Sequence, residues 1–229
     1  MIQANGAETE ALAEGMEEFA EEASLSVIDL FFEGGFIMWV LLAMSIYAVY
    51  IFIDRYMALN KALHGDKSFM DKIRDYIHGG NIESARSLCD STDDPVARLV
   101  AKGISRIGRP LSDVQTAVEN AGNIEVNTLE KGLASLASIS GGAPMIGFLG
   151  TVTGMIQAFF EMASAGNNIE VSSLAGGIYT ALVTTVGGLV VGILAYFMYN
   201  YLTARVDRVV ATLEARTMDF MDMLNDPTV

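Results

Sequence analysis

The sequence predicts an all-α membrane protein with three transmembrane helices, of which the second and third are long and extend into a helical cytoplasmic domain. Three uncharged stretches lead to this prediction, at residues 34–53, 132–160 and 171–204. Each has at least the roughly 20 helical residues that cross a hydrocarbon core about 30 Å thick. Mean hydropathy is +0.37 and 52% of the 229 residues are hydrophobic, a composition too apolar for an ordinary soluble domain.

The predicted segments follow these stretches in chain order. They are an acidic periplasmic segment at 1–33, a first span at 34–54, a cytoplasmic helical region at 55–132, a second span at 133–160, a short periplasmic connection at 161–172, a third span at 173–201 and a cytoplasmic C-terminal helix at 202–229. Residues 7–24 allow two interpretations, an acidic amphipathic helix or a disordered tail. Apolar residues at 27–32 predict a helix at the outer membrane interface.

The cytoplasmic region is predicted to be helical because apolar residues recur at helical spacing between breakers. The pattern over 67–78 ends at Gly79. Asn81 has the residue type of an N-cap and predicts a second short helix that ends near Cys89.

A third helix is predicted to start at Asp94 and Pro95, which are typical of an N-cap and a first helical position, and to continue through Ile107. Ser112 with Gln115 resembles a capping box for the next helix. Because no strong breaker follows, the sequence predicts that one continuous helix runs from there into the second span.

The distribution of Lys and Arg predicts the orientation of the chain. All 14 of these residues lie in 55–133 and 205–229, and none lies in 1–33 or 161–170. The positive-inside rule counts basic residues in short segments that flank the membrane. It places the N-terminus and the 161–170 connection outside, and residues 55–133 and the C-terminus inside, which is the alternation that three spans require.

The sequence shows no pattern typical of a catalytic or metal site. His64 and His78 lack ligand spacing to a cysteine or an acidic pair, and no Walker-type glycine loop is present. Cys89 is the only cysteine, so no internal disulfide can form. No basic cluster with interleaved aromatic residues indicates nucleic-acid binding. We therefore expect a protein that is not an enzyme, uses no cofactor and has membrane lipids among its partners.

Small residues recur at spacings of three and four in the second and third spans, which places them on one helix face. Small residues allow close approach of helices in a membrane. The predicted packing residues are Gly147, Gly150, Gly154, Gly177, Ala181, Gly188 and Gly192.

Hydroxyl side chains interrupt the apolar surface of the same two spans. Thr180, Thr184 and Thr185 lie in the middle of the third stretch, and Thr151 lies near the middle of the second. Two interpretations remain open: the hydroxyls bond to carbonyls one turn earlier and aid packing, or they line a hydrated path for ions. Neither stretch contains Asp, Glu, Lys, Arg or His, so a proton path would need a titratable group from another chain.

Two segments of the chain resemble the ExbB/TolQ/MotA family, at residues 144–156 (PMIGFLGTVTGMI) and 177–185 (GIYTALVTT). The first span begins with GGFIMW and ends with IDRY, which is similar to the ExbB-type first span. The resemblance extends from residue 25 to about residue 205. Three spans with a periplasmic N-terminus fit ExbB and TolQ, whereas MotA chains have four spans.

The resemblance implies a homopentamer in the bacterial inner membrane that surrounds the single helices of an ExbD/TolR-like dimer. The partner's membrane aspartate would supply the missing titratable group, and a TonB-like protein would transmit the work across the periplasm. The family's pore-lining threonines match Thr151 and Thr185. Its proline at the entry to the second span matches Pro144, which joins the predicted packing residues. Thr180 stands where ExbB and TolQ commonly carry glutamate, which leaves coupling to protons or to sodium open. Thr180 and Thr184 complete the predicted polar path.

The leading hypothesis is an ExbB-like subunit of a proton-channel motor that energises TonB-dependent outer-membrane transport. One alternative is a TolQ-like subunit of a Tol-Pal envelope-constriction motor. The other alternative is a membrane scaffold that oligomerises through its glycine faces and conducts no ions.

Overall fold

A computed structural model describes residues 27–63, 68–164 and 171–225. Within these residues the fold is α-helical and has no strand. The helices are α1 (Val27–Glu33), α2 (Gly35–Leu63), α3 (Phe69–His78), α4 (Ile82–Ser91), α5 (Pro95–Ile104), α6 (Leu111–Glu130), α7 (Leu133–Ser164) and α8 (Val171–Asn225). The all-α fold class is thereby confirmed. The segment 7–24 and half of the predicted connection at 161–172, namely residues 165–170, lie outside the described residues.

Three helical stretches are long and apolar enough to cross a membrane, at Gly35–Leu63, Leu111–Ser164 and Ala175–Asn225. Their number and order agree with the three predicted spans. The third stretch belongs to α8, which has 55 residues, so the predicted extension of the third span beyond the apolar run is also confirmed.

The predicted continuous helix from Ser112 into the second span is wrong, because Lys131 and Gly132 separate α6 from α7. Gly132 has a φ of +89°, a left-handed conformation that residues with a Cβ atom disfavour and glycine adopts readily. A Cβ atom at this position would also lie 3.2 Å from the Ile51 side chain. Gly132 is therefore a helix breaker of the C′ type.

The chain divides into two compact units. The first unit contains Met1–Ala43 and Ala143–Val191, and the second contains Met44–Gly142 and Gly192–Val229. The helices α2, α7 and α8 contribute residues to both units.

The core of the second unit joins the short helices α3 to α6 to the end of α8. Phe220 on α8 is fully buried, and its ring occupies the space beside Gly103 of α5. Val118 of α6 closes the same contact, since a Cβ atom on Gly103 would approach its Cγ2 to 2.9 Å. The other fully buried side chains of this core include Leu59, Ile73, Leu99, Val100, Leu136, Leu202 and Val209.

An ionic cluster connects three elements of the second unit. Arg98 on α5 donates to both carboxylate oxygens of Glu125 on α6, at 2.8 and 2.7 Å, and to Asp93 at 2.9 Å. Asp93 also accepts from Lys61, at the end of α2. The bonds from Lys61 lower the pKa of Asp93, and the bond to Glu125 raises the pKa of Arg98, so the charged forms of both groups are favoured.

The two predicted N-caps in this unit are confirmed. Asn81 accepts from the Ser84 N–H, and Asp94 accepts from the Val96 N–H at 2.9 Å. The helix that Asp94 caps ends at Ile104, three residues earlier than predicted.

The predicted capping box at Ser112 is wrong. The helix α6 begins at Leu111, directly after Pro110, which makes no side-chain cap. Ser112 lies inside the first turn, and Gln115 donates to Glu119 rather than reaching back to the helix start. The helix begins after Pro110 because a proline cannot continue a helix from the residues before it, and because the residue before a proline disfavours the helical conformation.

Loss of the cap at the start of α5 is expected to destabilise the second unit. The substitution Asp94→Ala should lower the stability by about 1 kcal/mol, because the Val96 N–H loses its acceptor. Thermal unfolding in detergent, followed by circular dichroism, should show a midpoint lower by about 2–4 °C. The matched control is Asp90→Ala on the exposed face of α4, which should leave the midpoint within about 1 °C. Equal midpoints for both variants would contradict the prediction.

Candidate functional site

The helices α7 and α8 meet through backbone contacts within the first unit. A Cβ atom on Gly147 would lie 2.8 Å from the carbonyl oxygen of Thr184. A Cβ atom on Gly188 would lie 2.6 Å from the carbonyl oxygen of Ala143 and 2.8 Å from Gly147 Cα. Since no flexible side chain can move to relieve these contacts, only glycine fits both positions.

The same close approach continues along both helices for several turns. A Cβ atom on Gly154 would lie 3.0 Å from the carbonyl oxygen of Gly177, and one on Gly177 would lie 2.6 Å from Ala158 Cβ. Ala181 is buried and faces Gly154. We call this set of contacts the glycine seam, and its members are Ala143, Gly147, Gly150, Gly154, Ala158, Gly177, Ala181, Thr184 and Gly188.

Two predicted packing residues lie outside this seam. Gly192 is buried on α8 but belongs to the second unit. Pro144 lies inside α7 and is half-buried, where its ring removes one backbone N–H from the helix ladder.

Thr184 is part of the seam itself. Its side chain is 1% exposed and fills the space that a Cβ atom on Gly150 would need. Its Oγ1 donates to the Ala181 carbonyl at 2.8 Å and lies 3.5 Å from the Gly147 carbonyl. In this structure the Thr184 hydroxyl is therefore a packing and bridging group without exposure to solvent.

The other predicted threonines differ from Thr184 in the exposure of their side chains. They are half-buried rather than fully buried: Thr151, Thr180 and Thr185. Thr185 Oγ1 lies 3.3 Å from the Gly147 carbonyl and 3.4 Å from the Ala181 carbonyl, and Thr151 Oγ1 donates to the Phe148 carbonyl at 2.6 Å. In both residues the hydroxyl proton is directed to a carbonyl, so the oxygen lone pairs remain available to accept a hydrogen bond.

Thr151 and Thr185 lie at a similar level of the helix pair. Thr185 contacts Gly147, and Thr151 follows Gly147 by four residues, which is about one turn of α7. Measured along the axis of α7, the two threonines that the family resemblance identified therefore lie within about one helical turn of each other, Thr151 on α7 and Thr185 on α8.

A small cavity, which the sequence analysis missed, lies near the start of α2 and has three threonines and one glutamine among its lining residues. Its volume is about 200 Å³. Its lining residues are Gly34, Gly35, Phe36, Ile37, Gly150, Thr153, Gly154, Gln157, Thr180 and Thr184. Gln157 is the only amide side chain in the stretch 132–160, and it donates to Glu161 at 3.1 Å. An amide in an otherwise apolar span was the signal that could have identified this cavity.

No group of three or more His, Cys, Asp or Glu side chains that could hold a metal ion occurs among the residues that the structure describes. The polar atoms near the seam are hydroxyl, amide and carbonyl groups. These groups can accept hydrogen bonds or coordinate a hard cation, and they do not titrate near neutral pH.

The fold and the seam define a multi-pass helical membrane protein with hydroxyl groups on its closely packed second and third spans. Residues 91–215 match the MotA/TolQ/ExbB proton channel family, and the chain belongs to that family. The matched region includes the entire glycine seam and the three half-buried threonines. The predicted resemblance is confirmed by this match.

Several curated relatives support the same assignment. The chain is 28% identical to a protein of Methanothermobacter thermautotrophicus described as a biopolymer transport protein ExbB homolog, over 82% of this chain and 67% of the relative. It is 28% identical to the Tol-Pal system protein TolQ of Haemophilus influenzae, over 82% and 88% of the two chains. It is 26% identical to the biopolymer transport protein ExbB of Neisseria meningitidis, over 78% and 86%.

Proposed function

We propose that this chain is the ExbB-like subunit of an inner-membrane motor. With an ExbD-like single-span partner, it would use the proton motive force to energise TonB-dependent outer-membrane transport. The family match and the relatives named ExbB support this proposal. The observation that carries it is the placement of half-buried threonine hydroxyls beside a seam that contains no titratable side chain.

The proposed mechanism assigns a separate task to each part of the seam. The glycines keep α7 and α8 in fixed register, so that Thr151 and Thr185 hold their hydroxyl oxygens within about one helical turn of each other. These oxygens accept hydrogen bonds from water or from a protonated carboxyl group, which lowers the cost of an ionisable group in an apolar setting. The titratable group itself comes from the partner's membrane aspartate. Thr184 supports the path by packing, and its own hydroxyl is not exposed to the ion.

The proposed assembly is a homopentamer around the partner dimer. Both spans of the seam carry exposed apolar side chains, including Ile156 on α7 and Leu182, Val186 and Leu189 on α8. A single chain would leave this surface to lipid, whereas an oligomer would cover part of it. Native mass spectrometry of the complex purified with an ExbD-like single-span protein would give the subunit numbers directly.

Proton conduction tests the proposal most directly. The complex would be reconstituted in liposomes that contain a pH-sensitive dye, and a potassium gradient with valinomycin would set the membrane potential. We expect acidification only when the chain and its partner are both present, and none when asparagine replaces the partner's membrane aspartate. An assembled complex that conducts neither protons nor sodium would favour the scaffold alternative and refute the proposal.

A TolQ-like role is the second candidate, because a Tol-Pal system protein is as similar to this chain as the ExbB homolog. The two roles differ in the process that is energised. Complementation would separate them: an ExbB-like chain restores uptake of iron complexes in a strain that lacks its own subunit, and a TolQ-like chain restores envelope constriction during division. Restoration of envelope constriction alone would assign the TolQ-like role.

The proposed orientation, with a periplasmic N-terminus, can be tested by thiol labelling, but not with the native cysteine. Cys89 is 3% exposed, and burial together with the charge of Asp90 raises its pKa to about 11, so it should resist maleimide on either side. In a Cys89→Ala background, a membrane-impermeant maleimide applied to intact cells should label Ser164→Cys. It should label Ser105→Cys only after the membrane is opened. Both serines are exposed, so the reverse result would overturn the orientation.

A further inference from the structure

An arginine at the end of the third apolar run has aromatic neighbours on two sides. Arg205 is the first charged residue after the uncharged stretch 171–204. Its guanidinium carbon lies 5.0 Å from the centre of the Tyr56 ring and 5.2 Å from the centre of the Tyr201 ring. Both distances are within the range of cation–π attraction, which fixes the position of the guanidinium group.

Two helices of the second unit build this environment, each with residues one turn apart. Phe52, Tyr56 and Asn60 follow one another at intervals of four on α2, and Tyr201 precedes Arg205 by four on α8. The rings of Tyr56 and Tyr201 stack with their centroids 6.3 Å apart, and Phe52 contacts the Tyr201 ring at 6.1 Å. We call Tyr56, Asn60, Tyr201 and Arg205 the Arg205 cluster.

The guanidinium group has more donors than the chain uses. Arg205 Nη1 lies 3.3 Å from Asn60 Oδ1, and a guanidinium carries five N–H groups. Among the described residues, no carboxylate lies within ion-pair distance of Arg205. The first basic residue after the first apolar run is different, because Arg55 bonds to Asp54 and to the carbonyl of Thr128. The charge of Arg205 thus has no counter-charge among the described residues, whereas that of Arg55 does.

The surroundings of the cluster match the two parts of a phospholipid. Tyr56 is 37% exposed and Tyr201 is 44% exposed, so the polar end of the site is open. One turn further into the apolar runs, Ile53 and Phe197 are exposed and offer a surface for acyl chains. Tyrosine and arginine at the edge of an apolar span are typical of the headgroup level of a bilayer.

We propose that the Arg205 cluster binds the phosphate group of an anionic phospholipid in the leaflet at which the third span ends. The planar guanidinium can donate two parallel N–H···O bonds to phosphate oxygens, an arrangement that an ammonium group cannot reproduce. The two tyrosine rings hold its plane, and the acyl chains lie along the exposed apolar side chains. This proposal requires that the chain spans a membrane and is independent of its proposed role in energy coupling.

Lipid binding can be measured on the purified full chain in a neutral detergent by native mass spectrometry. Phosphatidylglycerol, phosphatidylcholine and inorganic phosphate are titrated separately. We expect phosphatidylglycerol to bind with the highest affinity. The affinity for phosphatidylcholine should be lower by about fivefold or more, and millimolar phosphate should neither bind nor displace the lipid. Arg205→Gln should weaken phosphatidylglycerol binding about fivefold to tenfold. Arg205→Lys should restore only part of the affinity.

Two further variants keep the test decisive. Tyr201→Leu retains the charge and should still weaken binding about threefold, because it removes one cation–π partner. Arg208→Gln is the matched control, since Arg208 is exposed on the same helix and has neither ring beside it. An equal loss in Arg208→Gln would show diffuse attraction and overturn the proposal. The proposal would also be overturned if inorganic phosphate bound as tightly as the lipid. A third contrary result would be an Arg205→Gln variant whose oligomer falls apart while its subunits still bind as much lipid as before.

Discussion

Replacement of Gly188 by alanine, and more severely by leucine, is expected to prevent stable packing of α7 on α8. The added Cβ atom would lie 2.6 Å from the Ala143 carbonyl oxygen, and the neighbouring atoms belong to the backbone. The helices must therefore separate, at a cost of about 3 kcal/mol or more for leucine. Size-exclusion chromatography and thermal unfolding in detergent should show little folded protein for Gly188→Leu and a markedly lower midpoint for Gly188→Ala.

Gly176 provides the matched control on the same helix. A Cβ atom at this position would have no neighbour within 4 Å. Gly176→Ala should be neutral or stabilise the protein by about 0.5–1 kcal/mol, because alanine loses less backbone freedom in a helix. The two glycine-to-alanine variants are thus expected to shift the midpoint in opposite directions. Similar midpoints for Gly188→Ala and the unmodified chain would show that the seam is looser than the structure indicates.

The double variant Thr151→Val, Thr185→Val is expected to assemble normally and to lose ion conduction. Valine has nearly the shape of threonine and removes only the hydroxyl group, so the seam should keep its packing. A hydrogen bond between neutral groups contributes about 0.5–1.5 kcal/mol. The loss of two such acceptors should lower the proton flux in liposomes by about tenfold or more. Native mass spectrometry of the same preparation should show unchanged subunit numbers.

Thr212→Val is the control for this experiment. Thr212 is exposed on α8 beyond the apolar run, and its hydroxyl bonds only to the Arg208 carbonyl. The control should conduct as the unmodified chain does. Full conduction in the double variant would instead assign Thr151 and Thr185 to packing, which is the other interpretation that their sequence pattern allows.

The span count and the short helices could be predicted because strong local rules govern them. Charged side chains are expensive in a bilayer, so the uncharged stretches mark the spans. Caps such as Asp94 act on the next few residues and can be identified without tertiary information. The break at Gly132 was missed because the apolar pattern continues past it, whereas the structure gives Gly132 a left-handed backbone that ends α6.

The distinction between Thr184 and Thr185 marks the limit of prediction at the candidate site. Adjacent residues point about 100° apart on a helix, so the sequence indicates that they differ but not which one faces the neighbouring helix. The structure places Thr184 in the seam because Gly150 leaves room for its side chain. The cavity beside Gln157 also depends on the start of α2, which is distant in sequence. Gln157 marks one wall in the sequence, but local spacing could not show that α2 supplies another.

The contact between Phe220 and Gly103 has a consequence for biosynthesis. Gly103 and its helical neighbours leave the ribosome long before Phe220 is translated, so the helices α3 to α6 have an uncovered apolar face until the whole of α8 has been synthesised. Such transiently exposed surface favours misassociation and recognition by chaperones. The core of the second unit is therefore complete only after the third apolar run, which precedes Phe220 on α8, has been synthesised.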